Sequence, residues 1–129
     1  MSNNIQILKA FNDHFFDFID DVLRVFPDDT DIAAAKLAFI NFRKMNPRLI
    51  IMAFKKYVIE KYSKEISEGD LEFFINKNYN EDLDNSKNNE LILSKIDILR
   101  EPIRQMGKEN QDKSFKYISN LCKLGDLYN

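Results

Sequence analysis

The segment Leu8–Phe26, LKAFNDHFFDFIDDVLRVF, decides how this chain folds. Within it Leu8, Phe11, Phe15, Phe18, Val22 and Val25 recur at alternating three- and four-residue steps, which places them on one face of an α-helix. A second stripe, Ile92, Ile96, Leu99, Ile103 and Met106, repeats the pattern near the other end of the chain. Each seam must be covered by a neighbour. The two together predict an all-α protein, an irregular bundle of five to six helices forming a single domain over residues 1–129.

Composition agrees with that reading. Apolar residues make up 44% and charged residues 31% of 129, and Gly and Pro number three each, the balance of a globular helical chain. The longest wholly apolar run, Leu49–Phe54, is six residues, against the roughly twenty of a membrane span. No transmembrane segment is expected. The start, Met1-Ser2-Asn3-Asn4, lacks the basic and apolar regions of a secretory leader, and the lone Cys122 has no internal disulfide partner, so an intracellular site of action is expected.

Punctuation divides the helices. The first is expected from about Asn4 to Phe26, stopped by Pro27, and the second from about Thr30, capped within Asp28-Asp29-Thr30-Asp31. Residues Ile32–Phe42 are apolar on nearly every side, which predicts that this second helix is central and the least exposed. Asn46-Pro47 opens a third helix that should run to about Tyr62 or Ile66 and end near Gly69, with Ile51, Phe54, Val58 and Tyr62 inward. Asp70 then caps a short helix holding Leu71, Phe73, Phe74 and Ile75, and Asn76–Asn89 reads as the longest loop. The next helix spans about Glu90–Met106 with a kink at Pro102. Gly107 is expected to cap its C-terminus, and a last helix is expected from about Asn110 to Leu124, ending at Gly125.

Residues that could carry chemistry are few. His14 lies off the main seam and reads as a rim histidine, and Cys122 beside Leu121 reads as a buried thiol. Asp13, Asp17, Asp20 and Asp21 gather on one side of the first helix, but without His or a Gly-bent loop they read as a solvated face and not a metal site. In the stretch from Asn78 onward, Leu83 stands where a calcium loop needs Gly and Asn89 where it needs a bidentate Glu. Isolated glycines furnish no phosphate-binding loop. Neither a catalytic residue nor a cofactor or metal site is assigned.

Two surfaces remain. The net charge is only −2, yet Arg43–Lys64 carries seven basic residues and one Glu, and Glu65–Glu90 carries eight acidic and two basic residues. Arg43, Lys44, Arg48, Lys55 and Lys56 could contact an anion or nucleic acid near the start of the third helix, though a solvated or internally neutralised face is the simpler reading. Phe16, Ile19, Leu23 and Phe26 form a second apolar row beside the seam of the first helix, a candidate surface for a second copy or another protein.

Four stretches carry a family likeness: Phe26-Pro27-Asp28-Asp29-Thr30-Asp31-Ile32, Asn46-Pro47-Arg48, Phe73-Phe74-Ile75-Asn76-Lys77-Asn78-Tyr79, and Leu99-Arg100-Glu101-Pro102-Ile103-Arg104. Through them the chain resembles small proteins without assigned activity encoded by large double-stranded DNA viruses of eukaryotes, including the mimivirus-like group. That resemblance implies a product of the host cytoplasm or the virion and transfers no site residue. The expected role is that of a non-enzymatic structural or protein-interaction protein acting through helix surfaces, by self-association or partner binding. A nucleic-acid-associated factor is the alternative, and a small enzyme ranks third.

Overall fold

A computed structural model describes residues 3–56 and 87–128. Among these the fold is all-α: α1 (Asn3–Val25), α2 (Thr30–Met45), α3 (Leu49–Phe54), α4 (Lys87–Ile98), α5 (Arg100–Gln105) and α6 (Lys108–Leu127). The expected continuation of α3 to Tyr62 or Ile66, the short helix after Asp70 and most of the loop ending at Asn89 lie outside the described residues. The last residues of that loop belong to α4, which begins at Lys87.

The second stripe is buried throughout, and the first is buried except at its ends. Phe11, Phe15, Phe18 and Val22 of α1 are buried while Leu8 and Val25 are half-buried, and Ile92, Ile96, Leu99, Ile103 and Met106, along α4 and α5 and the residues that bound α5, are all buried. With Ile32, Ala35, Phe39 and Phe42 of α2, four residues of α3, and Ile118, Leu121 and Cys122 of α6, they form one core cluster. Aromatic edges knit it together. Phe15 meets Phe39 edge-on at 4.8 Å between ring centroids, and Phe11 meets Phe54 at 5.5 Å, so α1 is clamped to both α2 and α3.

The best-packed long helix is α1, and α2 is not the least exposed helix expected from composition, since four of the six residues of α3 are buried. The most extensive contact of α1 is with α6, and it also packs on α2 and α3, whereas α2 buries only one face. Ala33, Ala34, Leu37, Asn41 and Met45 of α2 face outward. An apolar helix becomes central only when neighbours surround it, and α1, α3 and α4 all meet α2 from its inner side. Polar groups support α1 as the hub. Buried Asn12 donates its side-chain amide to the Pro47 carbonyl at 3.0 Å, pinning the α2–α3 corner, and buried Asp21 pairs with Arg24 and with Lys113 of α6.

The helix ends follow local chemistry. Pro27 closes α1, and the Asp29 carboxylate accepts the amides of Asp31 and Ile32 to open α2. Asn46 ends α2 with its backbone amide on Phe42 and, through its side chain, accepts the Arg48 amide, so α3 starts at Leu49, two residues after Pro47. Pro102 supplies no amide for the Ile98 carbonyl and its ring crowds that oxygen. The helix is therefore interrupted at Leu99, between α4 and α5, while the buried seam continues through it.

Two glycine readings are corrected. Gly107 has φ −66° and ψ 162°, extended backbone open to any residue, and it opens α6 by accepting the Gln111 amide instead of capping the helix before it. The last carbonyls of α5 are met by the Gln111 side chain, which donates to Ile103 and Arg104. Gly125 does not end the last helix but lies buried within it, and α6 runs on to Leu127. Among the described residues no helix is long and apolar enough to cross a membrane.

Phe15→Ala should cost about 3–5 kcal/mol in urea denaturation, the loss expected of a large side chain removed from a packed core. Gly107→Ser should stabilise the fold by about 0.5–1 kcal/mol, since a Cβ there meets nothing within 4 Å and a serine adds the missing side-chain cap.

Candidate functional site

The turn at residues 26–29 folds α2 back along α1, and two ion pairs record the antiparallel register. Arg43 reaches Asp13 at 3.0 Å and Lys36 reaches Asp20 at 2.6 Å, so a seven-residue advance along α1 matches a seven-residue retreat along α2. Between the pairs the helices part into an open groove of about 340 Å³, lined by Phe16, Asp20, Lys36, Ile40, Arg43 and Lys44. Phe16 and Ile40 supply apolar surface; three cations and one carboxylate edge it.

Arg43 is the most constrained of those cations. Its guanidinium carbon lies 5.7 Å from the centre of the Phe16 ring while one terminal nitrogen donates to Asp13 Oδ1. Lys9 takes the other Asp13 oxygen at 2.8 Å. Hydrogen bonds from Lys9 and then Arg43 hold the Asp13 carboxyl below its ordinary value of 3.8. Lys44, one residue further on, is exposed and has no ion-pair partner among the described residues.

The other basic candidates do not join them on one surface. Arg48 is exposed at the start of α3, Lys55 turns its ammonium to the Tyr128 carbonyl at the end of α6, and Lys56 is exposed. Lys61 and Lys64 lie outside the described residues. The second apolar row of α1 also divides. Ile19 has no exposed surface and belongs to the core, a correction to its reading as an interaction residue, because α2, α3 and α6 together cover a wide arc of α1. Leu23 is half-buried against that core, Phe16 lines the α1–α2 groove, and Phe26 lines a separate groove of about 350 Å³ beside Asp97 and Pro102.

The remaining polar candidates have structural neighbours. His14 is half-buried with its ring 4.9 Å from that of Tyr117, and Cys122 is buried, its thiol pushed up to about 12 by burial and by Asp126. Asp13 pairs with Lys9 and Arg43, Asp20 with Lys36 and Asp21 with Arg24 and Lys113, and Asp17 is exposed. Among the described residues no group of three or more His, Cys, Asp or Glu side chains gathers around a point that could hold a metal ion.

Sequence reading missed Lys36, Ile40, Leu37 and Met45. Their signal was α2 itself: in a small bundle a helix apolar on every side has more greasy surface than its neighbours can cover. Leu37 is 64% and Met45 67% exposed. The chain matches no protein family profile, no curated protein and no solved structure.

The Asp13 pairing carries a pH signature. A carboxyl held below its unfolded value stabilises the fold fully above that value, and the contribution disappears as pH falls through the folded one. The stability gap between wild type and Asp13→Asn, about 0.2–1 kcal/mol for so exposed a pair, should therefore be widest at neutral pH and close on acidification below 3.8 in urea titrations.

Proposed function

We propose that this protein is a non-enzymatic interaction module that docks a protein partner, a second copy included, along the open face of α2. One observation carries the reading. Ala33, Ala34, Leu37 and Met45 fall at helical spacing on the outward side of α2, with Asn41 and Lys44 among them and Thr30 and Asp31 exposed at its start. A surface helix ordinarily turns its charged residues to water and its apolar ones inward. Here the inner face holds Ile32, Ala35, Phe39 and Phe42, and the outer face also sets two large apolar side chains, Leu37 and Met45, among small and polar neighbours, the kind of anchors by which one helix seats against another.

The nucleic-acid alternative draws less support from the same geometry. The α1–α2 groove holds Arg43 and Lys44 but not Arg48, Lys55 or Lys56, so the five cations do not track one groove.

A photocrosslinking amino acid at position 37, with a control at the exposed Lys116 of α6, tests the docking face. Protein adducts, or a doubled mass, are expected from position 37 and not from 116, and Leu37→Glu combined with Met45→Glu should abolish self-association or partner capture. Both substitutions lie on the surface, so they should alter stability by no more than about 0.5 kcal/mol. Equal adducts from both positions, or adducts to nucleic acid in place of protein, would remove this reading.

A further inference from the structure

The groove beside the α2 face has a chemistry of its own, and its reading rests on α2 being a docking face. Arg43 is held from two directions, by the carboxylate of Asp13 and by the ring of Phe16, and Asp13 is in turn held by Lys9. Only one of the five guanidinium N–H groups is spent on that anchor among the described residues, and the side chain remains 35% exposed. A guanidinium edge steadied by two contacts and with donors to spare suits a carboxylate, because part of its ordering cost is already met before anything arrives. Lys44 stands next to it without a partner among the described residues, and Phe16 and Ile40 form an apolar floor below both. Lys36 is paired with Asp20, so the charge excess of the groove comes from Lys44.

We propose that this groove receives an acidic peptide segment in which an Asp or Glu neighbours a large apolar side chain. The carboxylate is taken by Arg43 and Lys44, and the apolar group lies on Phe16 and Ile40. Charge complementarity fixes the sign of the occupant. Its polypeptide nature follows from continuity: Lys44 belongs both to the groove and to the outer row of Ala33, Leu37 and Met45, so a segment seated in one extends along the other. The groove volume of about 340 Å³ is at the small end of ligand sites, which run from about 300 to 1,000 Å³, and suits an anchoring side chain with its charged neighbour.

The probe is a fluorescein-labelled peptide of Glu and Asp interspersed with Leu and Phe at helical spacing, set against a twin whose acids are replaced by Lys. Fluorescence anisotropy should show saturable binding of the acidic peptide that weakens as salt rises, and none of its basic twin. Lys44→Glu should weaken the acidic peptide about tenfold and bring in the twin. Arg43→Lys, which keeps the charge and loses the planar fork, should weaken it several-fold. Equal binding of both peptides, indifference to Lys44→Glu, or displacement of the peptide by a fatty-acid anion that binds more tightly would each overturn the proposal. Crosslinks from position 37 without peptide binding would overturn it and leave the docking face standing, whereas absence of both would remove both.

Discussion

The fold depends on the burial of α1 from several sides at once. Phe11 and Phe15, one turn apart, set their rings against Phe54 of α3 and Phe39 of α2, while Phe18 meets Tyr117 of α6. A helix gripped this way cannot rotate to exchange its faces, since each turn would expose rings that contribute several kilocalories of burial each. The polar contacts refine the same constraint. Asn12 ties α1 to the corner at Pro47, and Asp21 holds it to Lys113, so both ends of the buried stretch are fixed in register.

How much of this could be read from residue order depends on which physical signal a segment carries. The seams in α1 and across α4 and α5 were readable because a three–four spacing leaves one face that must be covered, whatever covers it. Asp29 and Pro27 were readable because capping and the missing proline amide act locally. The exposure of α2 was not, since Ile32–Phe42 states how apolar a helix is and nothing about how many neighbours reach it. Gly107 and Gly125 misled for a related reason. Glycine permits a helix stop, but the backbone at Gly107 is extended and Gly125 sits within α6, so neither exercises the freedom that made it suggestive.

The same distinction governs the candidate site. In residue order Arg43 and Lys44 belong to a basic stretch and Phe16 to an apolar row, two separate surfaces. The antiparallel register of α1 and α2 brings them to one groove, which no linear pattern announces, and removes Ile19 to the core and Lys55 to the end of α6. Charge and grease that look like competing readings in one dimension become parts of a single mixed surface.

Cys122 offers a further use of this architecture. Its sulfur is buried in the core cluster and its thiol is pushed up to about 12 by burial, so alkylating and disulfide-exchange reagents meet little thiolate while the helices stay together. Trapping of that sulfur is then favoured in molecules whose bundle has opened around α6, and with a reagent fast enough to outpace reclosing its time course follows those openings. The chain therefore contains an internal clock for the lifetime of its own closed state, with no label to be introduced.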